Sequence, residues 1–303
     1  MSFRHPKGLY LLFMTEMWER FSFYTMQALL VLYATAALAE GGLAMNSAKA
    51  IALFGYYGAA VYIMPLLGAY FADRKIGLQR AVIIGGVLMA IGHFLMVFNQ
   101  ELTFYLALAF LAAGNGFFKP CITSLLGCLY DDQPQGKDSA YSIFYMGINV
   151  GALLAGIVGG ALHVYYGFDY AFGTAGIGMC IGLATFLWGR KRYLGNVGLE
   201  PIVKHEEAAT VSLTSEEKRR IWGLMSVCLF MTAFFIGYWQ YGGAMTLYAE
   251  SYTDRMLGSF EVPTAWFFSL NPLFIILCCH IMGIVWSRLG TYISVCLGIR
   301  NIL

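Results

Sequence analysis

Residues 16–27 read EMWERFSFYTMQ, and they place Glu16, Glu19 and Arg20 inside a stretch otherwise apolar enough to span a membrane. Glu16, Arg20, Tyr24 and Gln27 follow at steps of four, four and three, with Glu19 beside them. On a helix this spacing makes one polar face and leaves the rest apolar. Charges in a bilayer are costly and face a protein interior or a water-filled path. Three ions on one face of one span point to coupling chemistry more than to packing.

Outward from this stretch the composition agrees. Of 303 residues, 59% are hydrophobic and 12% charged, against about 25% charged in a soluble domain. The chain reads as an all-α polytopic membrane protein. Apolar runs predict eight spans, near 9–38, 50–72, 79–98, 102–127, 140–164, 170–189, 220–248 and 263–287. No cleavable signal peptide is expected, because the first run outlasts a signal core and no small-residue cleavage site with a soluble domain follows. The seven cysteines show no paired spacing and read as buried thiols. No Walker loop, HExxH motif or metal-ligand cluster is present, so neither nucleotide-driven transport nor metal chemistry is supported, and no cofactor is expected. A membrane enzyme is the weakest rival, and nothing suggests a nucleic-acid partner.

The organisation is six close-set spans (1–189), a polar linker (190–219), two further spans (220–290) and a tail (291–303). In the linker, Thr214 and Glu217 have capping-box spacing. With the N-terminus inside, the inner side holds Arg4, Lys7, Arg74, Lys75, Arg80, Lys137, Arg190, Lys191, Arg192, Lys204, Lys218, Arg219, Arg220 and Arg288. The outer side holds Lys49 and Arg255. This bias orients the chain. Six helices, a basic linker and more helices resemble the major facilitator plan.

Two basic residues remain within spans, Arg20 and Lys119. Lys119 lies in GNGFFKP (114–120) and is the natural partner of the glutamates on the first span. A carboxylate–lysine pair acts as a proton-sensitive latch, or as a static bridge. Gly114 and Gly116 allow close helix approach. Tyr145 and Asn149, at i and i+4 in FYMGINVG (144–151), share a face that suits hydrogen bonding to peptide groups, or an interhelical clamp. Tyr57 and Tyr62 are candidates on the second span, with Tyr62 preferred. Trp239 and Gln240 in FFIGYWQYGG (234–243) suit stacking and cavity lining, or packing. Ser269 and Asn271 precede Pro272 at a helix break or kink. Asp73 and Arg74 are assigned to helix contacts at an inner loop, and His93 to a packed, hydrogen-bonded position.

Taken together these motifs resemble the proton-dependent oligopeptide transporter (POT) family of the major facilitator class. The family's ExxERF is seen as Glu16, Glu19, Arg20 and Phe21. A GxADRxxG-like run covers Gly68 to Gly77, GxGxxKP ends at Lys119 and Pro120, FYxxINxG covers Phe144 to Gly151, and FxSLNP covers 267–272. The resemblance implies proton-driven uptake of di- and tripeptides across the cytoplasmic (inner) membrane. It assigns Glu16, Glu19, Arg20 and Lys119 to proton coupling, and Tyr24, Tyr62 and Asn149 to the peptide site. Phe23, Cys121, Trp239 and Phe268 depart from residues frequent in the family, which would alter the substrate range. After Leu289 no family motif is read, so the expected architecture is a six-helix half with about two helices of an incomplete second half, its transport impaired by truncation. Self-association or a separate C-terminal half would then complete it. The rival readings are a non-transporting membrane fragment or subunit and a carrier of another solute, such as nitrate or a glycoside.

Overall fold

The computed structural model describes residues 5–131, 134–201 and 214–279, with 281, 285 and 289 beyond. The expected tail 291–303, linker residues 202–213 and the expected inner-side residues Arg4, Lys204 and Arg288 lie outside the described residues. So does part of the eighth expected span.

Nearly all of the described chain is helical: α1 Lys7–Thr35, α2 Ser47–Phe71, α3 Leu78–Leu95, α4 Glu101–Cys128, α5 Lys137–Tyr166, α6 Phe168–Tyr193, α7 Ser215–Tyr238 and α8 Ala244–Tyr252. A two-residue hairpin follows, β1 Met256–Leu257 and β2 Phe260–Glu261, and then α9 Thr264–Cys279, which opens as a 3-10 turn. Six helical stretches among the described residues are long and apolar enough to cross a membrane: 47–76, 78–95, 101–128, 137–166, 168–193 and 215–252. The 29-residue α1 is also long enough, but it carries the three charges of its polar face.

Local chemistry explains the ends. The Asn46 side chain accepts from the Lys49 amide at 2.7 Å and starts α2. Thr214 and Glu217 form the expected reciprocal cap of α7, with Glu217 N donating to Thr214 Oγ1 at 3.2 Å and Thr214 N donating to Glu217 Oε2 at 2.8 Å. Gly77 (φ 81°) lets the chain turn from α2 into α3.

α1 to α6 pack as one bundle, with α1 held between α5 and α6, and α4 between α2 and α3. Missing side chains allow the contacts. A Cβ on Gly114 would stand 2.7 Å from the Gly85 carbonyl of α3, and one on Gly116 would stand 2.6 Å from Met64 Cβ of α2. The two glycines of GNG thus serve two different neighbours. At the turn between α2 and α3 Gln79 is buried and donates to the carbonyls of Gly195 (3.0 Å) and Val197 (2.8 Å). The first residues of the expected linker are therefore folded against α3.

The seventh expected span, 220–248, is not continuous. α7 ends at Tyr238, a 3-10 turn covers Trp239–Gly242, and Gly243 (φ −116°, ψ −103°) breaks the helix before α8. The Gly242–Gly243 pair permits that backbone and lets the turn press on Phe54 of α2. None of the described residues of α7 is buried, whereas α9 docks on α5. Ser269 Oγ donates to the Leu153 carbonyl at 2.9 Å, and Trp266 Nε1 donates to the Ile157 carbonyl at 3.0 Å.

Candidate functional site

Glu16, Glu19 and Arg20 are all essentially solvent-free, at 1%, 0% and 1% exposure. Desolvating three charges is repaid only when each is paired and hydrogen-bonded. Here Arg20 does the pairing. Its Nε lies 3.4 Å from Glu16 Oε1 and also bonds Glu19 Oε2. Its Nη2 donates to Glu19 Oε1 at 2.5 Å and to Asn115 Oδ1 at 3.1 Å. The planar fork of a guanidinium suits several acceptors at once. Asn115 in turn donates to the Val61 carbonyl of α2 at 3.4 Å, so one network joins α1, α4 and α2. The second oxygen of Glu16, Oε2, is buried with no hydrogen-bond partner among the described residues.

Lys119 does not pair with the glutamates as expected. No carboxylate among the described residues lies within ion-pair distance of it, and its Nζ stands 6.0 Å from the Tyr62 ring centre. The reason is local competition: Arg20 sits next to Glu19 and one turn from Glu16 and takes both. Lys119 remains part of the same electrostatic group, through its attraction to Glu16 and Glu19 and its repulsion by Arg20.

Beyond the ions α1 presents aromatic rings. The Arg20 guanidinium carbon is 4.7 Å from the Phe23 ring centre and 5.7 Å from that of Tyr24. Tyr24, Tyr145 and Asn149 then line one cavity of about 110 Å³, together with Tyr238, Tyr241, Phe268 and Asn271. Phe268 covers one side, with its ring 5.9 Å from Tyr24 and 4.6 Å from Tyr241. The Tyr238 hydroxyl donates to Asn271 Oδ1 at 3.4 Å. Phenols and amides in an apolar frame can bind a neutral polar backbone.

Tyr62, Trp239 and Gln240 are brought together elsewhere. They line a second, more apolar cleft of about 330 Å³ between α2 and the turn after α7, with Tyr62 edge-on to Trp239 at 5.8 Å. Gln27 is buried, its Oε1 has no partner among the described residues, and it lines neither cavity. Tyr57 is buried and its hydroxyl has no partner among the described residues, whereas Tyr62 is 57% exposed. Ser269 serves the α5–α9 contact and does not line the cavity. His93 is fully buried as expected, but neither ring nitrogen has a hydrogen-bond partner among the described residues. Arg74 lies over Tyr70 at 4.8 Å at the turn between α2 and α3.

Sequence reasoning missed Asn115, Tyr238 and Tyr241. Asn115 lies one helical turn before Lys119 and between the two glycines already noted. Tyr238 and Tyr241 flank Trp239–Gln240 in a run quoted for other residues.

This arrangement has counterparts. A family model described as the POT family matches residues 79–202 and 194–301. The second match reaches further along the chain than the motifs read from the sequence. The chain is 32% identical to the peptide transporter YePEPT of Yersinia enterocolitica, over 95% of this chain and 68% of that protein. It is 31% identical to the uncharacterized transporter YclF of Bacillus subtilis, over 95% and 69%. A crystal structure of a peptide transporter POT in complex with sulfate superposes with a TM-score of 0.81 at 30% identity, covering 96% of this chain and 70% of that one. A POT family transporter in complex with 5-aminolevulinic acid gives 0.80 at 27% identity.

Proposed function

The chain belongs to the POT family, whose named relatives include peptide transporters, and on that premise we propose that it carries di- and tripeptides across the cytoplasmic membrane by symport with protons. The N-terminus is cytoplasmic in this reading, as the distribution of basic residues suggests. The observation that carries the proposal is the buried network of Glu16, Glu19, Arg20 and Asn115, which abuts the tyrosine- and asparagine-lined cavity through Tyr24.

A proton can join Glu16 at Oε2 without breaking a hydrogen bond, since that oxygen has no partner among the described residues. Neutralising Glu16 removes one of the two anions that hold Arg20 and weakens the attraction between Glu16 and Lys119. The guanidinium then shifts its balance toward Glu19 and Asn115. Because Asn115 of α4 reaches Val61, the change is passed to α2, which faces the turn carrying Trp239. Tyr24, Tyr145 and Asn149 offer a peptide two phenols and an amide. Proton load and ligand therefore act on opposite ends of the same segment of α1. Alternating access requires two halves that rock against each other, and α7 to α9 supply the described part of the second.

Competition separates this reading from a carrier of another solute. Proteoliposomes holding the 303-residue chain are loaded with an inward proton gradient and labelled dialanine. Unlabelled di- and tripeptides should suppress uptake, and nitrate or a glycoside should not. Suppression by nitrate alone, or by a glycoside alone, would overturn the peptide assignment.

A further inference from the structure

The two ends of the bundle treat their basic residues differently. At the end that carries the start of α2 and the hairpin, Lys49 is paired with Glu101 at 2.8 Å, and Arg255 with Glu261 at 2.9 Å and Glu250 at 3.3 Å. At the other end Lys137 reaches Asp131 only at 3.8 Å, while Arg220 of α7 pairs with Glu216 at 2.6 Å. Lys7, Lys191 and Arg192 there are exposed, and none has a carboxylate within ion-pair distance among the described residues. The helix ends that carry them meet, since Gly8 packs against the Tyr193 carbonyl, at 3.1 Å from where its Cβ would stand. α6 also ends here, and the negative end of its dipole favours Lys191 and Arg192.

Exposed rings border the charges. Trp188 is 72% exposed and lies 6.2 Å from Tyr193, while Tyr10, one turn along α1 from Lys7, is 54% exposed. Arg192 stands 5.6 Å from the Tyr193 ring centre. Large amphipathic rings beside unpaired cations at a helix end match the boundary between headgroups and acyl chains.

We propose that the α1–α6 rim, with Lys7, Lys191 and Arg192 around Tyr193 and with Trp188 alongside, is a binding surface for the phosphate headgroup of an anionic phospholipid. Two observations favour a lipid over a soluble anion. The rings point out of the bundle, where acyl chains lie, and the cations are spread along a rim instead of lining a cavity. Anionic headgroups attract basic residues near a membrane surface. The inference is independent of the transported substrate.

The test is native mass spectrometry of the full chain released from nanodiscs of equal phosphatidylglycerol and phosphatidylcholine. The wild type should retain phosphatidylglycerol in excess. Lys191→Gln/Arg192→Gln should lower that excess by about fivefold for each charge removed. The charge-keeping pair Lys191→Arg/Arg192→Lys should retain it, which separates lost charge from lost fold. Arg219→Gln/Arg220→Gln, at the start of α7, should leave it unchanged. Equal retention of the two lipids by the wild type would overturn the proposal, as would an equal drop in the Arg219→Gln/Arg220→Gln variant. Loss of the excess on adding inorganic phosphate alone would also overturn it, since the rim would then be a general anion surface.

Discussion

Asn115 links three helices through two hydrogen bonds, one accepted from Arg20 and one donated to Val61. Replacing it by alanine leaves a guanidinium donor without an acceptor in a dry interior. Asn115→Ala should therefore cost about 1–3 kcal/mol of stability, read as a lower melting temperature in detergent, and should reduce gradient-driven uptake more than Asn149→Ala does. Tyr24→Phe keeps the ring that packs on Phe268 and removes the hydroxyl. It should leave the fold intact and weaken dipeptide binding by about two- to tenfold, the worth of one ordinary hydrogen bond, measured by thermal shift against dialanine. At this scale much was legible in the sequence. Helical spacing alone places Glu16, Arg20 and Tyr24 on one face, and Tyr145 and Asn149 on another, and these residues do meet around one site. What spacing could not give is the choice of partner. Arg20 and Lys119 are both cations near the same glutamates; Arg20 has the i, i+4 spacing to Glu16 and adjoins Glu19, but only the packing of α4 against α1 decides that Lys119 stays outside ion-pair distance.

At the scale of elements the packing rests on missing side chains. A Cβ on Gly151 would meet the Met17 carbonyl and would stand 3.0 Å from Arg20 Cβ, so Gly151→Ala must push α5 away from α1. That should cost about 1–3 kcal/mol and disturb the charged network with it. Gly55→Ala is the internal control: nothing lies within 4 Å of the added atom, so the melting temperature should hold or rise slightly. Gln79→Ala should free residues 194–199 from the α2–α3 turn, seen as faster amide exchange at Val197 and Leu199 with the exchange of α4 unchanged. Helix positions were readable because each span is a long apolar run. The break at Trp239–Gly243 was not, since the run stays apolar through it and the Gly242–Gly243 pair is one of several glycine-rich stretches in spans that continue unbroken. The α5–α9 contact was equally hidden, because it joins residues more than 100 positions apart.

At the scale of the whole molecule, six helices form a packed bundle while α7 stands with no buried described residue, and α9 alone of the later helices is tied firmly to α5. The bundle's charge sits at its centre, in the α1 network, and at both of its ends. In the proposed cycle the α1 network couples proton entry to peptide movement. This coupling is tested most directly by measuring labelled dialanine in proteoliposomes of the 303-residue chain in two modes. One is uptake driven by an inward proton gradient. The other is counterflow against unlabelled peptide with no gradient. Glu16→Gln fixes the glutamate in its uncharged form, and Lys119→Ala removes the cation that senses it. Both variants should lose gradient-driven accumulation, by about tenfold or more, as expected for a buried charge partner, while Glu16→Gln keeps counterflow. Accumulation that responds to the gradient equally in wild type and Glu16→Gln would contradict the coupling.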